Sequence, residues 1–370
     1  MNDLYKLVSK LNLYLAEPYT AIFCFSVSSY VIDFEILEKI HENYIDDVED
    51  SNSALIYKTK MKKMLLLMAV AFAMVANAQQ FEVTSLQEVK ASAQAPTFHP
   101  RFMPDGKTLL VTSEGYDGLA LVDIATGKYN MLTTFPGAGW CAEISEDGKT
   151  IITRSIDGVS LSQNIYALDV ASKRLTPVVE NVGHINNVGF SRGVATIGIN
   201  GVGVAKQVAK VSTLVAPKNN VFVTNENLKL AVYVNGVRNM LDPLAGQFED
   251  WDPLYAWSSL SPDGKRILFY CKQDAYVCDL NGKNVVKVGH IQGPQWCGND
   301  YVVGMNDEHD GYYNTKSDIV ICKVDGTGLQ QLTSSSDKEI KMYPAVSADG
   351  KKIAYHTESG KLFVMTIKKK

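Results

Sequence analysis

A short turn written Ser261-Pro262-Asp263-Gly264-Lys265 recurs along this chain and constrains its fold more than any other feature. Proline presets φ for a turn, aspartate bonds its own backbone, and glycine takes a positive φ without strain. Arg266–Tyr270 follows with strand-forming side chains, so the stretch reads as strand, tight turn, strand. Copies stand at Pro104-Asp105-Gly106-Lys107 before Leu109-Leu110-Val111, and at Ser145-Glu146-Asp147-Gly148-Lys149 before Ile151-Ile152. A third stands at Ser347-Ala348-Asp349-Gly350-Lys351 before Ile353-Ala354-Tyr355. Worn copies are Trp296-Cys297-Gly298-Asn299-Asp300 and Phe190-Ser191-Arg192-Gly193. Asp105 and Asp147 are 42 residues apart, and Asp263 and Asp349 are 86 apart, or two such periods. A fixed period of about 40–45 residues with a strand pair in each unit marks a β-propeller.

The expected fold is therefore all-β: a six-bladed β-propeller of four-stranded blades. The units run over about 97–136, 138–180, 184–246, 252–288, 291–334 and 340–367. The last unit has no outer strand after Lys361–Ile367, and Phe81–Leu86 can supply it. The ring is thus expected to close by pairing of the N-terminal strand with the last blade, which removes an exposed sheet edge. The third unit departs from the period. Asp147 and Asp263 are 116 residues apart, a surplus of about 30 that sits around Gly198–Lys218 and reads as an insertion or elongated hairpin.

Residues 61–78 have a basic start, the apolar run Met64–Ala76 and a small-x-small end at Ala76-Asn77-Ala78. That is the pattern of a secretory signal peptide, cut before Gln79. The apolar run, 13 residues, is too short to span a bilayer comfortably, so no membrane span is expected in the mature chain 79–370. Residues 1–60 then read as an upstream extension of the reading frame, the alternative being a cytoplasmic segment with Met64–Val75 kept as an anchor. A periplasmic or secreted monomer follows. With 46% hydrophobic and 21% charged residues and a net charge of −4, nothing favours nucleic acid as a partner. Five of the six cysteines lie beyond the leader, an odd number that cannot form a fully paired disulfide framework. Cys271 and Cys278 flank a hairpin and their state stays open, whereas Cys141 and Cys297 read as buried thiols.

The repeats resemble the TolB-type propeller repeat, a WD40-like unit also called PD40. The resemblance covers nearly all of 97–370 and rests on the turns around Asp105, Asp147, Asp263 and Asp349. It implies a propeller and leaves function open, since that family includes periplasmic scaffolds that bind peptides and the propeller halves of prolyl-oligopeptidase-type peptidases. The α/β domain that precedes the TolB propeller has no counterpart of sufficient length in 79–95, and no hydrolase segment is expected after the last blade.

Motifs for chemistry are weak. Gly189-Phe190-Ser191-Arg192-Gly193 matches the nucleophile elbow, yet Val194–Ile199 after it is strand-like where that motif needs a helix. Asn306–Asn314 concentrates oxygen ligands, but the spacing fits no EF-hand and reads equally as a solvated hairpin. The histidines 99, 184, 290, 309 and 356 form no zinc motif. No catalytic residue, metal or cofactor is expected. The informative residues lie on the inner strands and the loops before them, which a propeller places beside its central channel. They are His99, Arg101, Trp140, Glu143, His184, Asn186, Trp251, Asp252, Trp257, Gln295 and Tyr343. Aromatic rings with Arg make anchors for peptides or sugars, although Trp140, Trp251 and Trp257 suit blade interfaces equally. The expected function is a binding or scaffolding module for a protein, peptide or glycan at the channel mouth. The alternative is a cell-envelope enzyme, a metal-assisted lyase or hydrolase, with its site at the same place.

Overall fold

The computed structural model describes residues 80–91, 97–191, 194–199, 202–208, 221–235, 237–249, 251–311, 313–334 and 339–370. The expected leader and the segment before it lie outside the described residues, as does much of the surplus in the third unit. Every regular element among the described residues is a strand. The propeller is present, and its six repeat units sit where the turn spacing puts them.

Five units are four-stranded antiparallel sheets. The first holds Phe98–Phe102, Thr108–Thr112, Leu119–Asp123 and Tyr129–Thr133; the second holds Glu143–Ile144, Thr150–Ile156, Gln163–Asp169 and Leu175–Val182. The fourth holds Tyr255–Leu260, Arg266–Cys271, Asp274–Asp279 and Val286–Gly289. The fifth holds Gln292–Cys297, Tyr301–His309, Asn314–Lys323 and Gln330–Gln331. The sixth holds Lys341–Val346, Lys352–Thr357 and Leu362–Lys369, and takes its outer strand, Phe81–Glu88, from the other end of the propeller. That pairing runs from Phe81 opposite Lys369 to Glu88 opposite Phe363. The Gln330 amide fastens the seam: its Oε1 accepts from the Gln80 and Phe81 nitrogens, and its Nε2 donates to the Phe81 carbonyl.

The third unit carries the difference. It consists of two three-stranded sheets, Ile185–Ser191, Val194–Ile199 and Val202–Gln207, then Val221–Glu226, Lys229–Val234 and Val237–Leu241. The extra length of this unit thus accommodates a second sheet after the expected insertion point, while residues 209–220 lie outside the described residues. This second sheet also runs the other way. Its first hairpin, at Asn227 and Leu228 with φ of 49° and 60°, lies beside the start of Tyr255–Leu260, where the Tyr255 N–H donates to the Leu228 carbonyl at 2.7 Å. Asn225 Oδ1 accepts from Ser258 N and Ser258 Oγ in the same place. Its innermost strand is thus antiparallel to that of the next sheet.

Apolar layers between successive sheets hold the ring together. Leu109, Val111 and Val122 pack on Ala354, Leu362 and Val364; Leu110 and Leu119 pack on Ile151 and Leu168. Ile152 and Ile165 meet Ile185 and Ile197, and Leu230 and Val232 meet Tyr255 and Phe269. Leu268 and Val277 meet Val302 and Val320, and Val303 and Ile321 return to Ile353 and Tyr355. Where the two short sheets meet, a Cβ at Gly189 would lie 1.9 Å from the Phe222 ring, so no larger residue fits there.

The repeated turn is built alike each time. Lys107, Lys149, Lys265 and Lys351 N–H groups donate to the aspartate Oδ1 two residues earlier at 2.8–3.2 Å. Ser145, Ser261 and Ser347 are buried; each Oγ donates to its aspartate and accepts the N–H of Thr150, Arg266 or Lys352 at 2.9 Å. Hydrogen bonds from Ser261 and Ser347 hold the Asp263 and Asp349 carboxyls below the usual carboxylate range. The glycine that follows has φ between 61° and 70° in all four copies. The recurring Asp and Lys are fixtures of the frame.

Candidate binding site at the channel mouth

The end of the ring away from these turns is the mouth, and a second repeated feature shapes it. His99, Cys141, Trp257 and Tyr343 each stand six residues before a turn aspartate, and each has a left-handed backbone, with φ of 49°, 52°, 48° and 46°. Gly293 holds the same place in the fifth unit with φ of 55°. Ladder register slips at these points, between Phe98 and Arg101, Ala256 and Ser259, Gln292 and Gln295, and Met342 and Ala345. A bulge of this kind bends the strand and re-aims one side chain. Left-handed backbone costs a non-glycine residue about 1–2 kcal/mol, so four such residues mark a place where orientation outweighs local strain.

The re-aimed rings meet others from the far ends of the second strands. His99 stacks on Tyr116 with ring centroids 4.0 Å apart, and lies 4.8 Å from Tyr343 and 5.1 Å from His356. Tyr343 stacks on His356 at 5.6 Å. Trp257, 40% exposed, meets Tyr270 edge-on at 4.9 Å. The Arg154 guanidinium lies over the Trp140 ring, 4.0 Å from its centroid. Burial pushes the Tyr116 and Tyr270 hydroxyls up to about 12, lowers His99, and holds His356 down at about 4. The mouth is therefore lined by neutral rings near neutral pH.

Of the residues expected to line the site, His99 and Tyr343 come together with Tyr116 and His356, while Trp257 stands at the same bulge position and meets Tyr270. Arg101 and Glu143 pair with each other across neighbouring inner strands, Nη1 to Oε1 at 3.1 Å and Nη2 to Oε2 at 3.2 Å. Trp140 packs between the second and third units beneath Arg154. Trp251 lies edge-on to Phe248 at 5.4 Å, and Asp252 faces Lys229 at 3.6 Å, both on the mouth side of the reversed sheet. Gln295 and His184 are exposed, one on an inner strand and one just before an inner strand. The Asn186 side chain lies outside the described residues.

Tyr116, Arg154, Tyr270, Asp307 and His356 are additions that inner-strand reasoning alone does not reach. A signal for some of them is present: Thr112, Arg154, Tyr270 and His356 each stand seven residues after a turn aspartate.

The remaining motifs find structural roles. Gly189–Ser191 of the elbow motif end the strand Ile185–Ser191; Val194–Ile199, a strand and not a helix, follows, and Arg192 and Gly193 lie outside the described residues. Asn306–His309 continue a strand; Glu308 pairs with Lys316, Asp310 Oδ1 accepts the Tyr313 N–H, and Asp307 is buried. Among the described residues, no group of three or more His, Cys, Asp or Glu side chains is arranged to hold a metal ion. Cys271 lies opposite Asp274 and Cys278 opposite Ile267, so the two thiols do not face each other, and both are free. Burial pushes the Cys141 thiol up to about 12, which removes it as a nucleophile at neutral pH.

Comparison with known proteins follows the repeat. Over 88 residues, 23% of this chain, it is 32% identical to the Tol-Pal system protein TolB of Francisella tularensis subsp. holarctica strain OSU18. The TolB of Francisella tularensis subsp. tularensis strain WY96-3418 is 31% identical over a stretch of the same length. The repeats are TolB-like. The match spans 20% of those relatives' own length. No family profile matches the chain. Similar solved structures include TolB from Acinetobacter baumannii, with a TM-score of 0.43, 15% identity, and coverage of 74% of this chain and 55% of that one. A chain of the mitotic checkpoint complex has a TM-score of 0.48 and 11% identity, covering 77% of this chain and 94% of that one. An oligogalacturonate lyase in complex with manganese has a TM-score of 0.41 and 13% identity, covering 75% and 78%.

Proposed function

We propose that this TolB-like propeller is a periplasmic binding or scaffolding module that presents its mouth to a protein or peptide partner of the cell envelope. The observation that carries the reading is the set of left-handed bulges at His99, Trp257 and Tyr343, the first and last of which bring their rings within 4.8 Å of each other at the mouth. Strain of that kind persists where the surrounding structure over-determines it, and it gathers at functional sites. Rings with a polar edge are efficient anchors for peptides because they combine contact area with a hydrogen-bonding tip. The TolB relatives are named as proteins of the Tol-Pal system, and the resemblance of the repeats supports an envelope protein as the partner class.

Affinity capture from an envelope extract tests the reading with three baits: the wild-type chain, Trp257→Ala with Tyr343→Ala, and Lys265→Ala at the opposite end. A protein should be retained by the wild type and by Lys265→Ala, and lost with the mouth variant. Equal retention by all three, or turnover of a glycan library by the wild-type chain with no protein captured, would overturn it.

A further inference from the structure

Among the described residues, two buried acceptors at the mouth have no hydrogen-bond donor. Oδ1 of Asp307 and Nε2 of His356 make no hydrogen bond, and their residues are 4% and 2% exposed. A buried polar atom left unsatisfied costs about 1–3 kcal/mol, so each such atom asks for an explanation.

The two orphans flank one ring. Tyr343 stacks on His356, and its main-chain N–H approaches Met305 Sδ at 3.1 Å; Met305 and Asp307 share a face of the same strand. Both orphans are acceptors by chemistry as well as by position. His356 Nδ1 lies 2.9 Å from the Thr357 carbonyl, which can only accept, so Nδ1 carries the proton and Nε2 the lone pair. Asp307 is not served by its neighbours. His290 Nε2 stands 3.9 Å from Oδ1, but its nitrogens are engaged by the Gln273 carbonyl at 2.7 Å and the Asp307 carbonyl at 3.0 Å.

We infer that the mouth around Tyr343 is a subsite for a cationic group rich in N–H donors, a primary ammonium presented by a peptide, with Asp307 as its counter-charge and His356 Nε2 as a second acceptor. This deepens the binding reading above and rests on it. Three features select a cation over a neutral donor. Asp307 is a buried carboxyl whose cationic neighbour among the described residues, His290, stands 3.9 Å from Oδ1 and beyond hydrogen-bond reach, so its charge is only weakly compensated, a costly state for such a group. The rim offers the faces of aromatic rings, Tyr343 and Tyr116 among them, which attract ammonium groups. An ammonium also carries three donors, enough to serve both orphans at once. A sugar hydroxyl would satisfy a lone pair and leave the charge uncompensated.

The pH dependence follows from what faces Asp307: His290, His309 on its own strand, Tyr270 and Tyr343. Burial raises its carboxyl above the usual range. The empty site therefore holds its proton to a higher pH than an exposed aspartate would. An arriving cation requires the ionised form, so binding expels that proton, and affinity falls as pH drops through the raised value.

The test uses the full chain and three small probes: Nα-acetyl-lysine methylamide, its norleucine analogue with the same stem and no amine, and glucosamine. Trp fluorescence follows binding, and the ¹⁵N resonance of His356 Nε2 reports donation to that atom. The lysine probe should bind saturably, the norleucine probe at least about tenfold more weakly. Asp307→Asn should cost the lysine probe a similar factor, and the His356 resonance of the wild type should shift with the lysine probe alone. That last reading holds whether or not the variant folds. Equal binding of lysine and norleucine probes, or no histidine shift, overturns the subsite; tighter binding of glucosamine overturns its peptide source. If Asp307→Asn still retains the envelope partner captured by the wild type, the subsite falls and the binding reading stands. If no partner is captured at all, the broader reading falls independently of the probes.

Discussion

The two ends of the ring obey different rules. At the turn end, the same serine–aspartate–glycine arrangement is built again and again, its polar atoms tied at 2.6–3.2 Å and its carboxyls stabilised as anions. At the mouth end, the backbone repeats equally well, with one left-handed residue per bulge, but the side chains differ from unit to unit and, among the described residues, two buried acceptors are left open. Repetition of backbone with satisfied side chains builds a frame. Repetition of backbone with divergent, unsatisfied side chains builds a place for something else.

Three measurements would break or sharpen that contrast. The largest effect belongs to His356. Its folded value is held near 4 by burial against a usual 6.5, so the folded state binds fewer protons than the unfolded one below pH 6.5. Its contribution is whole above pH 6.5 and is lost as pH falls toward 4, by up to about 3 kcal/mol. Urea unfolding from pH 7 to pH 4 should show a shallower loss in His356→Gln than in the wild type, the other carboxylates cancelling between them. Parallel curves would mean that the imidazole is more solvated than its burial implies.

Serine turns come next. Ser145→Ala, Ser261→Ala and Ser347→Ala each strip a buried partner from a main-chain N–H and an aspartate. Each should lower unfolding free energy by about 1–3 kcal/mol, and by similar amounts in all three units. Widely unequal losses would show that the turn end is less uniform than its hydrogen bonds suggest. The smallest effect is expected at Trp257→Gly. Glycine relieves the left-handed strain while losing a ring that is 40% exposed, so the net stability change should stay within about 1 kcal/mol. Partner capture should nonetheless be lost. A large destabilisation would instead class Trp257 with the frame.

Much of the fold was legible because the turn chemistry is local: Pro, Asp and Gly at fixed offsets dictate a hairpin whatever surrounds them. The closing strand Phe81–Glu88 was legible for a different reason, since the last unit lacked an outer strand and the segment near Phe81 could supply it. His99, Trp257 and Tyr343 could be singled out by counting back from each turn. The left-handed conformation they share could not, because no residue type there announces it: His, Cys, Trp and Tyr occupy the position, and only the fifth unit uses Gly293. Asp307 was visible only as part of an acidic run. Its burial depends on a strand extending past its counterparts to His309 and on packing against the next sheet. The second sheet of the third unit escaped because its hairpin at Asn227 and Leu228 lies at the mouth, where the Asp-Gly signature has no business.

That reversed sheet has a consequence in parity. Each antiparallel strand turns the chain end for end, so a unit of four strands returns it to the side where it began, ready for the next unit in the same sense. A unit of three strands delivers it to the opposite side. A solitary three-stranded unit would leave all later units inverted, their bulges and turns exchanged between the two faces, unless a loop crossed the ring to undo it. Ile185–Gln207 and Val221–Leu241 are both odd and stand in succession, so the second cancels the first and Tyr255 starts at the mouth again. A ring of this kind tolerates truncated units in adjacent pairs, and loss or gain of a single strand anywhere else would cost it the common end at which the bulges of His99, Trp257 and Tyr343 stand.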